Sequence, residues 1–189
     1  MRLKPFLPLI LLAVLKFSAN AQELYQYAKD STITTNVGQI HIMDLYDSSI
    51  GYSKPTPVYN QSEQASCTDP TIKRDEYGRW IVDKTKYTKP SQTVIYNSVR
   101  SCFVGHIDLL RSAFNGKGQI WITICTGSTG VFKNAEVIIW AEPSIYRQIP
   151  PEVLCGLLNA LDDLQFTIPP EYQCISDHYF HYYILFRDL

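Results

Sequence analysis

The chain has no C-x-x-C pair, no Gly-x-Ser-x-Gly elbow, no glycine-rich phosphate loop and no uninterrupted apolar run of 18 residues. Each absence removes a class of function. Without C-x-x-C there is neither a thioredoxin-like redox site nor a zinc ribbon. Without the elbow an α/β-hydrolase serine has no seat. Gly127-Ser128-Thr129-Gly130 lacks the lysine and the following helix of a nucleotide loop, and reads as a turn. Histidine is scarce: His41, His106, His178 and His181 are all there are. His178 and His181 sit three apart on an expected strand, so they point to opposite faces and cannot share one ion. No metal and no cofactor is implied. A surplus of charge is missing too, with 17 basic against 18 acidic residues. Nucleic acid is therefore not an expected partner, because neutralising phosphates needs clustered Lys and Arg. The densest basic stretch, Lys84 to Lys89, holds three lysines with Tyr87 among them and reads as a solvated strand edge or loop.

What is present begins with the first 21 residues. Arg2 and Lys4 precede an apolar run from Phe6 to Leu15, and Ala19-Asn20-Ala21 is a small-x-small cleavage site before Gln22. That is the layout of a secretory signal peptide, and the run is too short to span a bilayer. The mature chain is expected to be soluble, not inserted in a membrane, and secreted or periplasmic. Removing residues 1–21 takes away three basic residues and no acid, which moves the formal net charge from −1 to −4.

Five cysteines, Cys67, Cys102, Cys125, Cys155 and Cys174, follow the cleavage site. In an oxidising compartment they are disulfide candidates, and an odd count leaves at least one unpaired or pairs it with another chain. Sequence does not choose among the pairings. Tyrosine supplies 13 of the 24 aromatic residues; its apolar ring and polar tip suit half-buried sheet faces and binding surfaces alike.

Along the chain, Ser31 to Met43 is rich in β-branched residues and reads as strand, with a turn or bulge at Val37-Gly38. From Asp47 to Asp75 the prolines, serines and Asp69-Pro70 predict a long loop, which carries the glycosylation pattern Asn60-Gln61-Ser62. Asp75 to Tyr87 is expected to hold a hairpin around Tyr77-Gly78 or Asp83-Lys84. The periodicity of Val99, Cys102, Phe103, Ile107, Leu110 and Phe114 predicts one helix over 98–114, capped by Asn97 or Ser98 and stopped by Asn115-Gly116. Gln119 to Thr126 alternates Ile120, Ile122 and Ile124 against polar or aromatic residues, and Ala135 to Ala141 is its hairpin partner. Pro150-Pro151 opens a second helix, with Glu152 in its first turn and an apolar face from Val153 to Leu164. His178 to Phe186 is the closing strand. The order predicts an α+β fold: a small antiparallel sheet with two helices packed on it, a C-terminal ββαβ unit, and N-terminal strands. The expected organisation is a signal peptide over 1–21, a β-rich extension over 22–95 and an α+β core over 96–189, the last two standing apart or forming one domain.

Residues 116–187 resemble the C-terminal domain of TonB-type proteins. The resemblance is carried by Gly118-Gln119-Ile120-Trp121-Ile122-Thr123-Ile124, the turn at Gly127 to Gly130, Asn134-Ala135-Glu136-Val137-Ile138-Ile139, the helix running into Phe166-Thr167-Ile168-Pro169, and the closing strand Tyr182 to Phe186. It implies a ββαβ fold and a role in the cell envelope. TonB proteins keep a membrane anchor and a long proline-rich spacer, which this sequence lacks, so a secreted relative reusing the fold is expected in place of an energy transducer.

The candidates for chemistry are few. Cys102 and His106 are spaced to share one helix face, but Cys102 lies on the apolar stripe and has no third, orienting group. Asp162-Asp163 and Asp75-Glu76 are sequence neighbours, which do not face each other on a helix. On the last strand, Phe180, Tyr182, Ile184 and Phe186 are expected under the helices. The opposite set, Tyr179, His181, Tyr183 and Leu185, is expected as a further core face against residues 22–95, or else as an exposed binding surface formed by Tyr179, His181 and Tyr183. The leading expectation is a non-enzymatic binding or interaction module with a protein or glycan partner in the envelope. The rivals are a secreted hydrolase with dispersed catalytic residues and a TonB-like adaptor.

Overall fold

The computed structural model describes residues 27–55 and 67–189. The expected signal peptide and the Asn60 glycosylation pattern lie outside those residues. Six strands, β1 (Thr32–Thr35), β2 (Gly38–Tyr46), β3 (Ser49–Ser53), β4 (Gln119–Gly127), β5 (Phe132–Trp140) and β6 (Asp177–Leu185), form one sheet. Its order is β1-β2-β3-β5-β4-β6 and every neighbouring pair is antiparallel. Among the described residues four α-helices accompany it: α1 (Gln92–Cys102), α2 (Ile107–Ser112), α3 (Pro143–Tyr146) and α4 (Pro151–Asp162). The α+β class read from the sequence is the class of the molecule.

The alternation of each strand decides which face is covered. Ile120, Ile122 and Ile124 of β4, Val137 and Ile139 of β5, and Phe180, Tyr182 and Ile184 of β6 are buried on one side. Ile50 and Tyr52 of β3 and Ile40 and Ile42 of β2 continue that layer across the sheet. Against it lie Ile95 and Val99 of α1 and the leucines 154, 157, 158 and 161 of α4. Both halves of the chain therefore contribute to one core. Among the described residues no helix is long and apolar enough to cross a membrane.

Three expectations are corrected. The helix expected over 98–114 is two helices. It starts earlier, because Ser91 accepts the Val94 N–H at 3.3 Å as an N-cap, and it stops at Cys102. Val104 and Gly105, both poor helix formers, occupy the break before α2. Within the stretch expected as loop, Ser49–Ser53 is an inner strand. Its serines and Gly51 face a crowded side, where a Cβ on Gly51 would lie 3.4 Å from the Asp44 Cβ, and Ile50 and Tyr52 fill the core. Small residues that read as turn punctuation are here what lets neighbouring strands approach. Finally, β1–β3 do not stack on the sheet as a second layer. They extend it sideways through the β3–β5 pairing, which leaves the outward face of β6 uncovered among the described residues. The ββαβ order of the TonB resemblance is present from β4 to β6, an arrangement that by itself assigns no family.

Candidate functional site

Strand β6 is an edge of the sheet, and its free side borders a cleft of about 740 Å³. Five consecutive residues of β6, Asp177 to His181, line this cleft, with Ile175 and Ser176 just before them. A strand face contributes only alternate residues, so a consecutive run means that the cleft follows the edge of the strand. The direction of the backbone groups agrees. Tyr183 C=O accepts a hydrogen bond from Gln92 Nε2 at 2.7 Å, outside the sheet, whereas Phe186 N–H donates to Gly118 C=O on the side of β4. In an antiparallel strand each residue's N–H and C=O point to the same side, and the side alternates. The backbone groups of Tyr179 and His181 therefore face outward into the cleft, and no backbone partner takes them among the described residues.

The opposite wall is built from residues 74–89. Asp75 organises a tight turn by accepting the N–H groups of Tyr77 (2.9 Å) and Arg79 (2.8 Å) and the Arg79 Nε–H (2.7 Å). The Arg79 N–H first, and then the other donors, hold its carboxyl below the usual range. Gly78 supplies the left-handed residue of that turn, at φ +78°. Arg74 and Trp80 pair across it, with the guanidinium 3.9 Å from the indole centroid, and Arg74 Nη1 donates to Gly78 C=O. Downstream, Asp83 caps a 3-10 turn at Lys84–Lys86 through the N–H and hydroxyl of Thr85.

This wall is held to the body at several points. The disulfide Cys67–Cys174 joins its start to the loop before β6. Lys86 pairs with Glu171 at 2.9 Å, and Thr88 and Thr167 exchange two backbone hydrogen bonds. Tyr87 stacks on Tyr172 at 5.6 Å and meets His178 and Phe180 edge-on. Burial pushes the Tyr87 hydroxyl up to about 12 and lowers His178 below its ordinary value. Both stay neutral at pH 7, with the hydroxyl 3.1 Å from His178 Nδ1.

The other surface is the uncovered face of the sheet. Trp121, Trp140, Tyr179 and Tyr183 are each between 37% and 50% exposed there, and Trp121 contacts Trp140 and Tyr183 at centroid separations of 6.3 and 6.1 Å. His181 lies on the same face, its Nδ1 3.1 Å from Thr123 Oγ1. Tyr179, His181 and Tyr183, named from the sequence as a candidate binding surface, are thus all solvent-facing, and the first two also line the cleft.

The residues weighed for catalysis are not brought together. His106 is the N-cap of α2 and no longer shares a helix with Cys102, so the one-face spacing expected for that pair does not hold. Burial raises the thiols of Cys102 and Cys125, which keeps them protonated and poorly nucleophilic. Asp162 pairs with Lys54 at 2.5 Å. His178 is buried and His181 is exposed on the other side of the strand. Among the described residues no group of three His, Cys, Asp or Glu side chains converges as a metal site would require. Of the five cysteines, Cys67 and Cys174 are bonded, while Cys102, Cys125 and Cys155 are free thiols.

Arg74, Trp80, Lys84 and Lys89 form the far wall of the cleft; the first two carry no signal of their own in the sequence, and Lys84 to Lys89 reads there as a solvated strand edge or loop. The available signal was basic residues interleaved with aromatic ones from Lys73 to Lys89, and nothing local shows that this stretch faces β6.

No family model matches the sequence, and no curated protein matches it either. A solved structure does resemble it: a DUF5043 family protein from Bacteroides uniformis ATCC 8492, 13% identical, with a TM-score of 0.56. The alignment covers 86% of this chain and 87% of that one. At this identity the likeness is one of fold.

Proposed function

We propose that this chain is an exported, non-enzymatic binding protein of the cell envelope or exterior, which holds an extended polypeptide along the free edge of β6. The observation that carries this is the run of seven consecutive residues lining the cleft beside an edge strand whose Tyr179 and His181 backbone groups face outward. Edge strands are hazards unless blocked or used, and pairing an extended peptide satisfies the open N–H and C=O groups in one step. Export is supported by the signal-like N-terminus and by a disulfide, which persists in oxidising compartments.

The test uses the geometry of the edge. A proline at position 179 deletes one outward N–H and leaves the ladder to β4 intact, which an edge strand tolerates. Peptides selected on the wild-type protein from a random heptapeptide display library are expected to lose about tenfold or more in affinity to Tyr179→Pro. They should bind Tyr179→Ala nearly as well as wild type. Equal binding to both variants, selective loss with Trp121→Ala, or no enrichment at all would each overturn the proposal.

A further inference from the structure

Four cationic side chains line the cleft, Arg74, Arg79, Lys84 and Lys89, against one acid, Asp177. The acid is already neutralised, because Lys133 Nζ lies 2.6 Å from its carboxylate. Arg79 is likewise committed, to Asp75 at 2.7 Å. That leaves Arg74, Lys84 and Lys89, none of which forms an ion pair among the described residues. The positive cleft belongs to a chain whose formal net charge is −1, so it is a local feature and not a share of a basic surface.

The placement of these cations follows the edge. Lys84 and the outward-facing His181 line the same cleft, and the Lys84 charge, after burial, helps hold the imidazole below its ordinary value. Lys89 lies toward the other face, its Nζ 5.8 Å from the ring of the inward-facing Tyr182. Arg74 is fixed by its stacking on Trp80 and by one hydrogen bond, and a guanidinium has five N–H donors in all. A strand added beside β6 would run about 4.8 Å from it and send alternate side chains to both faces. On either face a carboxylate would then meet a cation that has no ion-pair partner among the described residues.

We infer that the cleft selects an acidic segment of polypeptide, with Glu or Asp projecting on both faces of the added strand toward Lys84, Lys89 and Arg74. This rests on the reading of β6 as a peptide-binding edge and adds the charge of the ligand to it. A polypeptide is favoured over an acidic glycan because the outward N–H and C=O groups of Tyr179 and His181 repeat every second residue, as the backbone of a paired strand does.

The probes are blocked octapeptides of two Glu-Glu-Val-Thr repeats, the same peptide with Gln for Glu, and the same with Lys for Glu. A fluorescent label on each allows titration by anisotropy against the oxidised protein. The Glu peptide is expected to bind at least about tenfold more tightly than the Gln peptide, since two or three exposed charge contacts of ordinary strength sum to that ratio. The advantage should shrink as salt rises from 0.1 M to 1 M and the screening length falls from about 10 Å to about 3 Å. The Lys84→Glu/Lys89→Glu variant, altered only at exposed side chains, should melt like wild type and prefer the Lys peptide. Equal binding of the Glu and Gln peptides would overturn the charge selection and leave the peptide edge standing. Binding of an oligogalacturonate with no peptide bound would overturn both.

Discussion

Replacing both Cys67 and Cys174 with serine lowers the unfolding free energy by about 2–5 kcal/mol. The bridge spans 107 residues of sequence, and closing a loop of that length removes much of the unfolded chain's freedom. At this chain size such a loss corresponds to a fall in melting temperature of roughly 6–15 °C. The effect is not confined to stability. Cys67 begins the segment that carries Arg74, Trp80, Lys84 and Lys89, and Cys174 directly precedes the run 175–181 that lines the cleft. Without the bridge, the wall depends on the Lys86–Glu171 pair, the Thr88–Thr167 bonds and the packing of Tyr87. The double variant should therefore also bind peptide more weakly at temperatures where it is still folded. Denaturant unfolding of wild type and variant under non-reducing conditions measures the first effect. A difference below about 1 kcal/mol would show that the bridge does not constrain the chain as described.

Gly130→Ala is expected to cost about 3 kcal/mol or more, for two reasons that can be separated. The residue has φ +91°, where a Cβ costs about 1–2 kcal/mol. A Cβ built there would also lie 2.2 Å from the Phe166 carbonyl oxygen, so backbone must move. Phe166 packs against Phe180 with ring centroids 4.6 Å apart and the planes tilted by 35°, and the adjacent Thr167 ties down Thr88. The displacement is thus transmitted from the β4–β5 turn to the cleft wall. Gly78→Ala is the control: it too has positive φ (+78°), but its Cβ would meet nothing within 4 Å. Its cost should be the conformational share alone, about 1–2 kcal/mol. Equal losses in the two variants would mean that the contact between the turn and Phe166 does not exist in solution.

These two sites illustrate what a single sequence discloses. The β4–β5 hairpin was legible because Ile120, Ile122 and Ile124 alternate cleanly and Gly127 to Gly130 marks the turn. The start of α4 was legible from Pro150-Pro151, and the burial of Phe180, Tyr182 and Ile184 from the period of β6. That Gly130 lies under Phe166 was not legible, because 36 residues separate them and only packing brings them together. Strand β3 was missed for a different reason. Ser49, Gly51 and Ser53 have the composition of a turn, and the demand for small side chains comes from the neighbouring strand β2. The break between α1 and α2 was hidden by hydrophobic residues that keep helical spacing across a non-helical turn.

The candidate site was legible by half. Tyr179, His181 and Tyr183 were found because an aromatic strand with two unlike faces must expose one of them or bury it in a second layer. The sideways extension of the sheet by β1–β3 decides for exposure. Of the far wall, Lys84 to Lys89 reads in the sequence as a solvated strand edge or loop. Its lysines are indeed exposed, and what matters is that Cys67–Cys174 and the Tyr87 cluster hold them across from β6. A distance of about 90 residues in sequence leaves no local trace of that arrangement.

Backbone amide hydrogen exchange of the oxidised protein, with and without saturating acidic octapeptide, tests the peptide-binding edge most directly. In the free protein the amides of Tyr179 and His181 should exchange fast, because they have no acceptor among the described residues, while those of Phe180 and Tyr182 are protected by pairing with β4. Peptide should slow Tyr179 and His181 specifically and leave Trp121 and Trp140 on the open face unchanged. Protection centred on the tryptophans, or no change along β6, would contradict a ligand paired to this edge.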